Sequence, residues 1–191
     1  LFVIILSRRQ IDLVEKNDDI NLEEKSMRIR TVEKKDAEAF YQFQVKLDQE
    51  AEYMLYEPNE RITTVRQIKK TIKDIKKMET STIFIAEEGN RIIGYVGIYG
   101  SSLRRVKHVG YISIGIIEAY CNKGIGYQLL TSSIQFAEET ELKRLELSVI
   151  EENKRAIHLY QKCGFVLEGV RKKAVRINKQ WHDEFYMAKI L

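Results

Sequence analysis

A single mixed α/β sheet with helices on both of its faces is the fold class this sequence predicts, and three observations carry it. Strand-period and helix-period segments follow one another in the order β-α-α-β-β-β-α-β-α-β-β. Two strand pairs are joined by short turn signals, Gly89-Asn90 and Asn178-Lys179, which predict hairpins. One strand, 109–117, runs through a glycine-containing loop into an amphipathic helix and on to a buried strand, 143–150. There is no internal repeat and no linker after residue 27. A chain of 191 residues then makes one domain with room for a proper core.

The first strand is MRIRTV (27–32), which alternates with period two. Asp36 is placed to N-cap a helix whose apolar positions Phe40, Phe43, Leu47, Ala51 and Met54 recur at helical spacing. The segment YMLYEPNER (53–61) breaks that helix, with Pro58-Asn59 as its turn signal. Thr64 and Gln67 stand three apart as a capping box for a second helix, with Val65, Ile68, Ile72 and Ile75 on one face. Its other face carries Arg66, Lys69, Lys70, Lys73, Lys76 and Lys77, the composition of a solvated side. TIFIAEE (82–88) and RIIGYVGIYG (91–100), rich in branched and aromatic residues, form the first hairpin.

After the basic connection SLRRVKH (102–108) comes the strand VGYISIGII (109–117). The loop that follows leads to a helix ending near Thr140, with Leu129, Leu130, Ile134 and Ala137 inward. Asn153 then caps a short helix containing Ala156, Ile157, Leu159 and Tyr160, closed by Gly164 just past its end. FVLEGVRKKAVRI (165–177) and WHDEFYMAKIL (181–191) make the terminal hairpin.

A formal charge of +4 suits an anionic small molecule as well as nucleic acid and selects neither. SLRRVKH is basic, but no recognition motif accompanies it, so no nucleic-acid partner is expected. Cys121 and Cys163 form no disulfide framework, and His108, His158 and His182 are scattered without ligand spacing, so a cytoplasmic, metal-free protein is expected. No apolar run approaches the roughly 18 residues of a membrane span. The opening LFVIIL is too short for a signal h-region, so no membrane partner is expected. The first methionine is Met27, and residues 7–26 are polar and poorly patterned. The domain is therefore expected over 27–191, with 1–26 an extension of unassigned role.

The residues Lys123-Gly124-Ile125-Gly126, between a strand and a helix, set free backbone N–H groups at a helix N-terminus, where phosphate oxygens are favoured. Glycine lets a ligand approach the backbone closely, although two glycines at such a turn also occur for tight packing alone. A Walker A loop would need Lys-Ser or Lys-Thr after its last glycine, where Tyr127-Gln128 stand. A dinucleotide fingerprint would need a third glycine at Leu129.

A different pattern fits. Cys121-Asn122-Lys123-Gly124-Ile125-Gly126 resembles the Gln/Arg-x-x-Gly-x-Gly/Ala loop of the GNAT (acyl-CoA N-acyltransferase) superfamily, departing from it at Cys121. The run N-x-x-A-I-x-L-Y-x-K-x-G-F over 153–165 resembles the same superfamily more specifically, followed by Glu168-Gly169 and a closing hairpin with Asp183, Glu184 and Met187. The resemblance covers about 27–191 and is strongest over 108–187.

It implies a mixed central sheet splayed between its fourth and fifth strands, with acetyl-CoA as co-substrate and its pantetheine arm in the gap. Backbone groups at Ile116 and Ile117 would pair with pantetheine amides. The N–H groups of Lys123, Gly124, Ile125, Gly126 and Tyr127 would hold the pyrophosphate. Asn153 would reach the pantetheine with its side-chain amide while also serving as a helix cap. Tyr160, seven residues after Asn153, matches the family tyrosine that faces the thioester sulfur and would act as general acid. On periodicity alone it belongs with Ala156 and Ile157 on a core face.

The acceptor would be framed by YMLYEPNER and RINKQWHDE, with Tyr53, Tyr56, Glu57, Glu60 and Trp181 as wall residues. Glu57 and Glu60 would attract a cationic amine, of a small molecule or of a protein. The family's fourth-strand carboxylate is missing from VGYISIGII. Glu118, His108 and a water relay all stay open as the base. Cys121 reads either as a thiol activated by the helix N-terminus and Lys123 or as an incidental substitution, and Cys163 as a packing residue. The resemblance implies an N-acetyltransferase working by direct attack in a ternary complex, or else a non-catalytic acyl-CoA-binding sensor. Dimers are common in the family, which leaves a homodimer open.

Overall fold

A computed structural model describes residues 26–191; the expected extension over 1–26 lies, Ser26 apart, outside them. Among the described residues seven strands form one sheet: β1 (Met27–Thr31), β2 (Thr82–Glu88), β3 (Arg91–Tyr99), β4 (Val109–Ile116), β5 (Arg144–Ile150), β6 (Val166–Ile177) and β7 (Gln180–Ile190). Their spatial order is β1-β2-β3-β4-β5-β7-β6. Four helices, α1 (Ala37–Glu50), α2 (Val65–Ile75), α3 (Ile125–Glu138) and α4 (Lys154–Lys162), complete the predicted order of elements.

Two cores hold the helices to opposite faces of the sheet. On one face Phe40, Phe43 and Leu47 of α1 and Ile68 and Ile72 of α2 pack with Ile83, Ile85 and Tyr95. On the other, Leu129, Leu130 and Ala137 of α3 and Ile157 and Tyr160 of α4 pack with Val96, Leu145, Leu147, Phe165 and Met187. Burying each such large side chain contributes about 1.5–3 kcal/mol. The strand alternation that separates the two sets of residues is therefore what commits the chain to three layers.

Every strand pair is antiparallel except β4–β5, which is parallel. That pair holds only over Val109/Arg144, Gly110/Leu145 and Tyr111/Glu146. Beyond it β4 continues against β3 as far as Ile116, and β5 continues against β7 as far as Ile150. The sheet therefore opens into a V between the two strands, because each arm keeps its outer partner while losing the inner one.

Two local expectations are corrected. Asp36 does not cap α1 with its side chain; it ends a short 3-10 turn over Lys34–Asp36 and has helical backbone angles. Its carboxylate accepts instead from Arg30 Nη1 and Nη2 at 2.7 and 2.9 Å and from the Glu33 N–H at 2.7 Å. Arg30 also donates to Glu87, which Arg28 contacts as well, so two arginines on one face of β1 select the use of that carboxylate. The hydrogen bond from Arg30 holds the Asp36 carboxyl below its ordinary range. The second correction is length: α1 stops at Glu50, and Ala51 is already extended, so the chain leaves the helix well before Pro58.

The turn chemistry forms as read. Thr64 Oγ1 accepts from the Gln67 N–H while Gln67 Oε1 accepts from the Thr64 N–H, a closed capping box. Asn178 and Lys179 both take positive φ (48° and 66°), the conformation of a two-residue type I′ hairpin turn.

Candidate active site

The V-shaped gap exposes one edge of β4. Ile117 N–H donates to Ile93 O at 3.0 Å, and the register continues through Gly94/Ile116. In an antiparallel pair the N–H and C=O of alternate residues point the same way. Ile114 and Ile116, beyond the last parallel pair Tyr111/Glu146, thus turn their backbone groups away from β3 and into the gap. The expectation for Ile117 is corrected accordingly: its N–H is occupied by β3. Its carbonyl and that of Ile116 each lie 3.8 Å from Cys121 Sγ, within reach of a weak S–H donor.

At the open end of β4 the chain turns sharply. Asn122 and Gly124 both take left-handed backbone angles (φ 60° and 79°), and α3 begins at Ile125. The Gln128 N–H closes the first helical bond on Gly124 O at 3.2 Å. The N–H groups of Ile125, Gly126 and Tyr127 stand before it at the positive end of a 14-residue helix, without helical acceptors. Lys123 Nζ lies 5.0 Å over the Tyr120 ring, and Lys162 Nζ 4.9 Å over the Tyr127 ring. Lys162 was not among the expected site residues, since only the packing of α4 beside α3 brings its ammonium to this turn.

The two glycines have different surroundings. A Cβ at Gly124 would meet nothing within 4 Å, so only its positive φ demands glycine. A Cβ at Gly126 would come within 2.8 Å of Leu159 Cδ2. The side chain of Leu159 on α4 therefore packs closely against that glycine. Gly124→Ala should therefore cost about 1–2 kcal/mol of stability in urea unfolding. Gly124→Asn, which tolerates the left-handed region better, should cost less.

Asn153 Oδ1 accepts the Ala156 N–H at 3.2 Å, the expected helix cap. Its side-chain NH2 makes no hydrogen bond among the described residues and remains a donor. Further along α4 Tyr160 is buried, its ring 6.1 Å from that of Phe165. Its hydroxyl has no hydrogen-bond partner among the described residues. Burial above all, with the neighbouring Tyr95 and Tyr111 phenols, pushes the Tyr160 phenol up from its ordinary value, so it stays protonated.

Tyr111 and Ser113 of β4 share a sheet face with Glu146 and Ser148 of β5 and Tyr186 of β7, the face that α1 and α2 cover further along. Tyr95 Oη and Ser113 Oγ are 2.7 Å apart. Tyr111 Oη and Ser148 Oγ, 2.9 Å apart, join β4 to β5 where the two strands begin to diverge. Sequence reasoning found none of these hydroxyls, because their meeting depends on strand register.

The expected acceptor wall is only partly assembled. Tyr56 lies under the Arg61 guanidinium, 4.3 Å from its ring centroid, and Arg61 forks to the buried Asp48 at 2.5 and 2.9 Å. Glu60 is turned back on its own loop, accepting the Glu57 N–H at 2.9 Å, and Glu57 is exposed. The Tyr53 phenol is raised by burial first and by Glu52, with Glu152 also within electrostatic range. Trp181 stacks on Arg176 at 5.4 Å. By strand alternation Trp181 belongs to the face opposite Tyr186. His182 is the residue on the near face, its Nδ1 3.1 Å from Glu152.

Glu118 and His108, two of the three open choices of base, lie just beyond opposite ends of β4. Glu118 is solvent-exposed and paired with Arg155 at 3.2 Å, which holds its carboxyl low. His108 sits at the closed end of the V, its carbonyl accepting the Lys143 and Arg144 N–H groups. Of the two readings of Cys121, the incidental substitution is favoured: burial pushes its thiol up, and Arg155 only partly opposes this. Among the described residues no three His, Cys, Asp or Glu side chains gather as a metal site, and no helix is long and apolar enough to cross a membrane.

Comparison with known proteins agrees with this fold. The model of the acetyltransferase (GNAT) family matches residues 44–165. The L-amino acid N-acetyltransferase AaaT of Escherichia coli (strain K12) is 30% identical over 100 residues, which span 52% of this chain and 62% of that protein. The chain spans little more than half the length of the curated relatives it matches. A GNAT-family acetyltransferase structure from Streptococcus pneumoniae superposes with a TM-score of 0.85 at 29% identity, covering 87% of this chain and 100% of that one. A phosphinothricin acetyltransferase from Sinorhizobium meliloti, solved in complex with AcCoA, shares the fold at TM-score 0.76 and 17% identity, over 86% of this chain and 88% of that one.

Proposed function

The chain belongs to the acetyltransferase (GNAT) family, and from that membership we propose that it moves an acetyl group from acetyl-CoA to a primary amine by direct attack in a ternary complex. The observation that carries this reading is the gap between β4 and β5. One wall of it offers backbone groups at Ile114 and Ile116 that have no strand partner among the described residues, and the α3 N-terminus lies beyond its open end. An extended amide-bearing arm fits such an edge as an added strand would, and a pyrophosphate fits the N–H groups of Ile125, Gly126 and Tyr127. Lys162 and Lys123 would add positive charge, and the free Asn153 NH2 a donor to the arm. When bound, acetyl-CoA supplies the activated acyl group as a thioester. Tyr160 holds a proton at Oη that is available to a leaving sulfur.

The acceptor is proposed to be a primary amine of a small molecule or of a protein. The match to an enzyme named for L-amino acids favours the first. A thiol-release assay over amino acids, polyamines and peptide N-termini, run beside calorimetric acetyl-CoA binding, tests the reading. Amine-dependent release of CoA is the expected result. Tight acetyl-CoA binding with no turnover across the panel would replace the enzyme with a sensor of the same fold.

A further inference from the structure

The two arms of the V end close to one ion pair. β4 stops at Ile116 and Glu118 lies in the next turn; β5 stops at Ile150 and Arg155 lies in the first turn of α4. Arg155 Nη1 and Nη2 donate to Glu118 Oε1 and Oε2, both at 3.2 Å. The carboxylate end is fastened further. The Glu118 N–H donates to Glu50 Oε2 at 3.3 Å, and Lys46 Nζ pairs with Glu50 Oε1 at 3.4 Å. Glu50 closes α1, which lies on one face of the sheet, while α4 lies on the other. A row of contacts from Glu50 through Glu118 to Arg155 thus runs from one helical layer to the other. Because β4 and β5 are inner strands, that row crosses past the open end of the gap and not around an edge of the sheet.

Stability does not explain this pair. The Arg155 and Glu118 side chains are 52% and 63% exposed, and an ion pair so placed adds little to folding. Its geometry does more, because a forked guanidinium–carboxylate contact fixes both distance and orientation. Here it fixes the separation between the end of β4 and the N-terminus of α4. Asn153, whose NH2 makes no hydrogen bond among the described residues, caps that N-terminus two residues before Arg155. Ile116, with backbone groups turned into the gap, stands two residues before Glu118. An extended arm lying between β4 and β5 needs two strand spacings, roughly 9.5 Å, where a paired sheet has one. Resting on the acetyltransferase reading, we infer that the Arg155–Glu118 pair is a tie across the mouth of the gap, which holds Asn153 and Ile116 one arm's width apart and slows the release of acetyl-CoA. Both are positioning residues, acting through Asn153 and the β4 edge. The pair carries no net charge, so the tie works by geometry and not by attracting an anion.

The test is acetyl-CoA dissociation from the full chain, followed by stopped flow. Glu118→Gln should speed release up to about fivefold, the strength of an exposed ion pair, and Arg155→Met should do the same. Removing both should cost no more than removing either, since the two act through one contact. The reversed pair, Glu118→Arg with Arg155→Glu, should return release toward the wild-type rate. Glu118→Gln decides between two causes, because it leaves Arg155 as an unpaired positive charge. Plain attraction of the anionic coenzyme would make that variant hold acetyl-CoA more tightly, whereas loss of the tie makes it hold less. In the protein without ligands, the Ala156 N–H that Asn153 caps should exchange with deuterium faster in Glu118→Gln, while the urea midpoint stays at the wild-type value. Unchanged or slower release in Glu118→Gln, or unchanged exchange at Ala156, would overturn the tie and leave the transferase standing. A wild type that binds no acetyl-CoA would overturn both.

Discussion

Tyr160→Phe is expected to lower kcat roughly 10²-fold while acetyl-CoA affinity and thermal stability stay close to wild type. The substitution removes one oxygen and keeps the ring, which is what packs against Phe165. Because the hydroxyl has no hydrogen-bond partner among the described residues, its loss leaves no buried group unsatisfied there. The phenol's raised pKa also shapes the chemistry. Such a phenol is a weaker acid than a thiol, so its contribution is a hydrogen bond to negative charge developing on sulfur, with transfer completed as the thiolate departs. The donor form is present at every working pH, since the phenol sits above its ordinary value of about 10. No alkaline fall in rate from this residue is therefore expected below about pH 10. Unchanged turnover in Tyr160→Phe with intact acetyl-CoA binding would remove the hydroxyl from the mechanism.

Arg61→Met carries the largest expected effect on stability. Asp48 sits in α1 with its side chain 2% exposed, and the Arg61 fork neutralises it; the Arg61 side chain is itself 12% exposed. Removing the arginine strands a buried charge, at a cost of about 3–5 kcal/mol. For a chain of this size that lowers Tm by about 6–20 °C. The double variant Asp48→Asn with Arg61→Met removes both charges and should recover much of the loss, a coupling that a double-mutant cycle in urea measures directly. A second readout separates structure from function. Arg61 also clamps Tyr56, so in the double variant the α1–α2 loop loses its tie to α1 while α3 and α4 are untouched. KM for the acceptor should rise there, with KM for acetyl-CoA unchanged. A single variant as stable as wild type would mean that water reaches Asp48.

Some of the site was legible in local letters, because its parts are local devices. Gly124 is needed where one residue must turn left-handed at a helix start. Asn153 is a cap whose acceptor lies three residues on, and Thr64 with Gln67 closes a box within one turn. Each involves residues less than a turn apart, so spacing alone describes it. Gly126 shows the limit of that legibility. Its place in the loop was plain, but its close contact with Leu159, on another helix, was not. The same holds for Cys121, whose burial opposes the activation that its position beside a helix start allowed.

By itself the sequence determined the order of elements, the strand–loop–helix turn and the tyrosine on α4, since hydrophobic period, capping and turn chemistry act over a few residues. Only the tertiary structure decided where the sheet splays, which backbone groups of β4 face the gap, that Trp181 turns away while His182 turns in, and that Tyr111 meets Ser148 beside Glu146 and Tyr186. The physical reason is register. A side chain's face and its cross-strand neighbours are set by hydrogen bonding between strands far apart in the chain, and a slip of one residue would exchange every inward group for an outward one.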